Sequence, residues 1–182
     1  LEDLNLSHNL IEKIENLEKN WKLRDLNLAE NRIRRIEGLD HLKFLEKLNL
    51  NSNFVETIPQ TIGRITNLRF LRISKNQLSN PDDITNLRSL PKLTNVNIFG
   101  NPLCENFDYG MSLVFHCKTL QFLDGKHVSN EMRTRSRETY GSPEKRQARS
   151  KSPKGAGKFT TPRSASQGRS KVSPSPTSGR RK

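Results

Sequence analysis

Cysteine occurs only twice, at Cys104 and Cys117. Two thiols cannot build a disulfide framework and their spacing matches no metal site, so both are expected to be reduced residues of the core or its margin. No apolar run approaches the eighteen or so residues of a membrane span, and the first residues carry neither the basic nor the apolar region of a signal peptide. The chain therefore reads as soluble, cytosolic or nuclear, with no membrane partner. GxxxxGK[ST], GxGxxG after a strand and GxSxG are all missing, which removes the usual scaffolds of nucleotide and acyl chemistry. His8, His41, His116 and His127 have no carboxylate or Cys at ligand spacing. No metal, cofactor, small-molecule substrate or catalysis is expected.

What the chain has in quantity is positive charge, unevenly placed. Residues 1–132 hold 17 Lys+Arg and 17 Asp+Glu, whereas residues 133–182 hold 15 Lys+Arg against Glu138 and Glu144, so the net +13 lies in the last fifty residues. That tail is rich in Ser, Pro and Gly and poor in apolar residues, a composition that cannot offset its own ordering entropy. It is expected to be a disordered basic tail over 133–182. Ser142, Ser152, Thr161, Ser173 and Ser175 each precede Pro and are candidate phosphorylation sites, at which each phosphate adds about −1.5 to −2. Such an arm attracts polyanions by sequence-independent electrostatics; the acidic tails of tubulin and nucleic acid both qualify, and a solvated linker is the alternative.

The first 132 residues are periodic. Blocks beginning at Leu1, Leu23, Leu45, Leu68 and Leu93 align as LEDLNLSHNLI, LRDLNLAENRI, LEKLNLNSNFV, LRFLRISKNQL and LTNVNIFGNPL, with steps of 22, 22, 23 and 25 residues. Within each block Leu4/Leu6, Leu26/Leu28, Leu48/Leu50, Leu71/Ile73 and Val96/Ile98 alternate with polar residues, the period of a strand with one buried face. Asn9, Asn31, Asn53, Asn76 and Asn101 close these strands, and a buried amide there can pair the backbone of its own turn and of the next repeat. They form a structural Asn ladder. Ile11/Ile14/Leu17 and Ile33/Ile36/Leu39/Leu42 pack the convex side, and Thr57, Ile58 and Pro59 begin the return segment of the third block. Because no repeat can bury its own apolar face, stability comes from stacking.

The repeated LxxLxLxxNxIxxI resembles the cytosolic 22-residue leucine-rich-repeat class typified by the regulatory subunit of type 1 protein phosphatase. The resemblance implies an α/β solenoid with short parallel strands on its concave face and helical or 3-10 segments on its convex face. It divides the chain into repeats at 1–22, 23–44, 45–67, 68–92 and 93–119, a cap to about 132, and the tail. Residues 101–128 look like the C-terminal cap of the class, through Asn101, Pro102, Tyr109, Val114, Phe115, Leu120, Leu123, Asp124, Gly125 and Val128. Leu1 occupies the first position of a repeat, so a capping segment is expected upstream. Within the class, LNLSHNLIEKIENL, LRDLNLAENRIRRIEGL and the run from Ile58 to Leu71 are similar to the centriolin type of centrosomal scaffold, over roughly residues 1–135. A non-catalytic scaffold or adaptor of the centrosome, cilium or microtubule cytoskeleton is thereby implied. A phosphatase-regulatory subunit, or a nuclear nucleic-acid-associated protein acting through the tail, are the alternatives.

Outward strand positions form rows across the repeats: Asp3, Asp25, Lys47, Phe70 and Asn95; Asn5, Asn27, Asn49, Arg72 and Asn97; His8, Glu30, Ser52, Lys75 and Gly100. A protein partner is expected on this concave face, which turns from acidic to basic around the fourth repeat. Phe70 and Phe99 are candidate anchors of a type enriched with Arg at interface hot spots; packing under the cap is the alternative, above all for Phe99. Trp21 is expected in the convex-side core, and Glu12, Lys13, Glu15, Lys19, Arg34 and Arg35 on a solvated convex face.

Overall fold

The structure is a computed structural model and describes residues 1–105 and 108–141. Five three-residue strands recur once per repeat: β1 (Asp3–Asn5), β2 (Asp25–Asn27), β3 (Lys47–Asn49), β4 (Phe70–Arg72) and β5 (Asn95–Asn97). Each pairs in parallel with its sequence neighbours and in full register, so that Leu4, Leu26, Leu48, Leu71 and Val96 stand side by side. That central residue is the inward one of each strand, because successive side chains of a strand point to opposite faces. Two further strands extend the sheet. β6 (Phe122–Leu123) continues the parallel order beside β5, and β7 (Lys126–His127) turns back antiparallel on β6.

Behind the sheet the leucines that open the repeats, Leu23, Leu45, Leu68 and Leu93, are fully buried, as are Leu26, Leu50, Ile73 and Ile98. All belong to one continuous core. Burial of a Leu or Ile side chain stabilises by about 1.5–3 kcal/mol, and here the walls of each burial site come from neighbouring coils, so no coil holds its shape alone.

The Asn side chains set the turns. Asn31 Nδ2 donates to the carbonyls of Leu6, Leu28 and Ala29 at 2.9, 3.1 and 3.2 Å, while its Oδ1 accepts from the Ile11 N–H at 3.0 Å. Asn53, Asn76 and Asn101 repeat both halves of that pattern one coil further along. Asn9 differs: it is exposed and donates only within its own turn, to Leu6 and Ser7.

The convex returns are less helical than the expected pattern. The first two coils return through turns, and among the described residues 3-10 segments occur only at Gln60–Arg64, Pro81–Ser89 and Pro102–Glu105. A left-handed residue interrupts each of these two returns, Asn16 at φ 62° and Gly38 at φ 69°, a conformation that a right-handed helix does not accommodate. The cap adds α1 (Tyr109–His116) and α2 (Asn130–Tyr140), packed on each other. Helix α2 runs through the expected start of the disordered tail at 133, because Met132, Arg133, Ser136, Thr139 and Tyr140 share one less exposed face at helical spacing. Ser142, Ser152, Thr161, Ser173 and Ser175, and the rest of the tail, lie outside the described residues. Among the described residues no helix is long and apolar enough to cross a membrane.

Candidate functional site: the concave face

Strand register builds the site. It aligns Asp3, Asp25, Lys47, Phe70 and Asn95 in one row and Asn5, Asn27, Asn49, Arg72 and Asn97 in the next. Adjacent strands lie about 4.8 Å apart, so neighbours in a row are within reach of each other. Lys47 Nζ meets Asp25 Oδ2 at 3.1 Å across that gap. At the turn beyond, His8 Nδ1 meets Glu30 Oε2 at 2.8 Å. Lys47 thus offsets the charge of Asp25, whereas Asp3 forms no ion pair among the described residues. Arg72 and Lys75 form no ion pair among the described residues, which leaves the basic end open to a partner's carboxylates.

The second row is partly occupied by its own backbone. Oδ1 of Asn5, Asn27 and Asn49 accepts from the N–H two residues on, at Ser7, Ala29 and Asn51, at 3.0, 3.2 and 3.2 Å. The NH₂ halves of these amides form no hydrogen bond among the described residues. The third row takes a conformation that its sequence does not advertise: His8, Glu30, Ser52 and Lys75 have φ of 58°, 56°, 55° and 55°, and Gly100 has 73°. Four side chains are held in the left-handed region at a cost of about 1 kcal/mol each, offset by the Asn ladder beside them. Gly100 also gives room to its neighbour, since a Cβ there would come within 3.3 Å of Lys75 Cγ.

Where the two rows pass Phe70 they enclose a recess of about 330 Å³ lined by Asp25, Asn27, Lys47, Leu48, Asn49, Phe70 and Arg72. Phe70 is half-buried in it. Asn97 is half-buried beside Arg72, whereas Phe99 stands 44% exposed at the cap end. The sequence reading missed Phe122. Register places it next to Asn95, 38% exposed, with its ring 5.5 Å from that of His127 and edge-on to it. The signal was present: Leu120-Gln-Phe-Leu123 matches Leu93-Thr-Asn-Val96 and opens a sixth, truncated repeat.

Asp124 closes the face. Its Oδ1 accepts from the N–H groups of Ile98 and Phe99 at 2.7 and 3.0 Å, and its Oδ2 accepts from the Tyr109 hydroxyl at 2.9 Å. Burial, then the Asp124 bond, pushes the Tyr109 hydroxyl well above its usual range, so it stays a donor. Burial also pushes the Cys117 thiol up to about 12 and raises that of Cys104, whose Sγ donates to the Ile98 carbonyl at 3.3 Å. Neither supplies a thiolate near neutral pH. The described residues contain no group of three or more side chains able to hold a metal. The arrangement offers recognition: an aromatic ring, a guanidinium and amides on a fixed sheet.

Trp21 is not in the convex core. It is 50% exposed, and its ring lies 6.1 Å from that of Phe44, itself 45% exposed, with Lys22 Nζ 5.0 Å over the indole. Two residues before the first fully buried leucine, the chain is still rounding the turn and the bulky indole finds no cavity. Glu12, Lys13, Glu15, Lys19, Arg34 and Arg35 are exposed, with Lys13 paired to Glu15 and Arg34 to Glu56.

Comparison with known proteins agrees with this architecture. The chain is similar to U2 small nuclear ribonucleoprotein A′ of Schizosaccharomyces pombe, 31% identical over 88 residues that make up 48% of this chain and 37% of that protein. The Aspergillus fumigatus protein of the same name is 27% identical over 86 residues, 47% of this chain and 34% of its own. The chain thus spans about a third of the length of these curated relatives. Among solved structures, the Drosophila melanogaster SNF/U2A′ complex matches with a TM-score of 0.74 at 23% identity, over 81% of this chain and 86% of that one. A leucine-rich-repeat protein of Leptospira interrogans matches with a TM-score of 0.56 at 25% identity, over 76% of this chain and 35% of that one. The names of these relatives support the repeat class and not the phosphatase-regulatory or centriolin-type branch suggested by the sequence. A leucine-rich repeat family profile matches residues 2–152, and the chain belongs to that family.

Proposed function

We propose that this chain is a non-catalytic adaptor that seats a folded protein partner on its concave face, centred on Phe70 and Arg72. One observation carries this reading: the recess in which a half-buried aromatic ring stands beside a guanidinium that has no carboxylate partner among the described residues. Aromatic and Arg side chains in such a pocket are the groups that dominate binding energy at protein interfaces. The strand register supports them rigidly, so little ordering cost is left for the moment of binding. The likeness to a structure of the SNF/U2A′ complex supports a protein partner on this kind of scaffold.

The test is capture of partners by the full chain against the Phe70→Ala, Arg72→Glu double variant, with Lys13→Ala, Arg35→Ala as a convex control. The expected result is a discrete set of proteins lost about 30-fold or more with the concave variant, as removal of a hot spot costing about 2 kcal/mol or more demands, and retained with the control. An unchanged set would place the partner elsewhere.

The cellular setting has two readings. A centrosomal, ciliary or microtubule scaffold rests on the resemblance of residues 1–135 to the centriolin type, with the basic tail adding contact to an acidic polymer such as tubulin. A nuclear ribonucleoprotein setting is favoured by the U2 small nuclear ribonucleoprotein A′ relatives. Imaging the tagged full chain in dividing, ciliated cells separates them: centrosomes or basal bodies support the first, nuclei the second. A phosphatase-regulatory role would require capture of a phosphatase and its loss with Phe70→Ala.

A further inference from the structure

We propose that a second surface, at the edge of the sheet where the strands begin, docks the phosphate backbone of a nucleic-acid duplex. The residues that precede the strands, Glu2, Arg24, Glu46, Arg69, Thr94 and Gln121, are tied in sequence by backbone bonds of 2.7–3.0 Å. The first half of this edge is self-neutralised, because Arg24 lies between Glu2 at 3.3 Å and Glu46 at 2.6 Å. Beyond Glu46 the pairing stops.

Arg69, Lys92, Lys118 and Arg133 line one open groove of about 410 Å³ with Thr94 and Gln121, and no carboxylate lines it. None of the four cations forms an ion pair among the described residues. Two are held in place by neutral partners: Lys92 Nζ donates to Asn67 Oδ1 at 2.6 Å, and the Arg133 guanidinium donates to the carbonyls of Lys118 and Leu120. An adjoining recess of about 270 Å³ shares Lys118 and Arg133 and adds Arg137. Five cations therefore follow one path from the fourth strand to α2. Directly after α2 the sequence from 142 onward adds twelve Lys and Arg against Glu144.

The chemistry of the groove selects the ligand. A protein interface depletes charge at its core and buries apolar anchors, whereas this groove is dense in cations and the aromatic lining the adjoining recess, Phe115, is half-buried and stacked on Tyr140 with centroids 5.8 Å apart. Arg and Lys with polar neighbours on a regular backbone are the groups that contact phosphates. With no aromatic ring among its lining residues, the groove gives unpaired bases nothing to stack on, which favours a duplex over a single strand.

The test measures binding of the full chain to duplex RNA and duplex DNA of one sequence, between about 50 and 200 mM salt, where each phosphate contact contributes about 0.9 to the slope of log K against log salt. Arg69→Gln, Lys92→Gln, Lys118→Gln together should flatten that slope by about 2 to 3 and weaken binding tenfold or more at low salt. Lys13→Gln, Arg34→Gln, Arg35→Gln, which remove the same charge from the convex face, should leave the slope in place. RNA and DNA responding alike, or RNA alone, both support the phosphate site and tell its sources apart. An unchanged slope, an equal loss with the convex variant, or groove-dependent binding of a poly-glutamate chain but of neither duplex overturns the proposal. Phe70→Ala should not change the slope, so failure here leaves the concave-face reading standing.

Discussion

Asn53 shows how one side chain ties two coils together. Its amide accepts from Ile33 N–H at 2.9 Å and donates to the carbonyls of Leu28, Leu50 and Asn51 at 2.9, 3.2 and 3.2 Å. Asn53→Ala leaves buried backbone groups of two coils unpaired, each at a cost of about 1–3 kcal/mol. We expect a loss of about 2–4 kcal/mol in urea unfolding followed by circular dichroism, whereas Asn9→Ala, exposed and bonded only within its turn, should cost under about 1 kcal/mol. The ladder was legible because its spacing repeats five times. Asp124 was legible only as part of a cap pattern: its bonds to Ile98, Phe99 and Tyr109 depend on β6 joining the sheet, which a single unrepeated position does not announce.

At the scale of elements, strands were readable and returns were not. Alternation over LxL, repeated at a fixed spacing, marks a strand whatever surrounds it, whereas the return path is decided by how far each coil must reach to meet its neighbour. The 3-10 segment Pro81–Ser89 is clipped to the preceding coil by Asp83, whose Oδ2 accepts from Ile58 N–H at 3.1 Å and whose Oδ1 accepts from Asn80 Nδ2 at 3.2 Å. Burial outweighs these bonds and raises the Asp83 carboxyl above its ordinary value. A raised folded value means that the protonated form is favoured on folding, so this contribution is full at low pH and is lost as pH rises through the folded value. Asp83→Asn, which keeps an acceptor without the charge, should therefore gain stability relative to the parent chain as pH rises from the ordinary carboxylate value of about 4. Parallel urea titrations from that pH upward check it, and a difference that stays flat or reverses contradicts it. Helix α2 escaped detection for a related reason: Arg133, Arg135 and Arg137 dominate its composition, and its packed stripe is narrow and built partly from Ser136 and Thr139.

For the whole molecule, charge and shape divide the labour. The repeats carry balanced charge in sequence, yet folding pairs Lys13, Arg24, Arg34, Lys47 and Arg64 in the first three coils, whereas Arg69, Arg72, Lys75, Lys92 and Lys118 toward the cap form no ion pair among the described residues. The rows of the concave face could be written from the alignment alone, since register follows the repeat. Which members are free to bind could not, because that depends on ion pairs and turn bonds between coils. Trp21 escaped for the same reason: a large apolar residue was assigned to the core, and only the position of its coil shows that no space exists for it.

The central claim is that a protein partner sits in the recess at Phe70. The most direct measurement replaces Phe70, and separately Arg35 on the convex face, with a photo-crosslinking phenylalanine analogue in the full chain and irradiates living cells. The account predicts a discrete crosslinked protein from position 70 that disappears when Arg72→Glu is added, with no such species from position 35. No crosslink from position 70, or the same species from both positions, would contradict it.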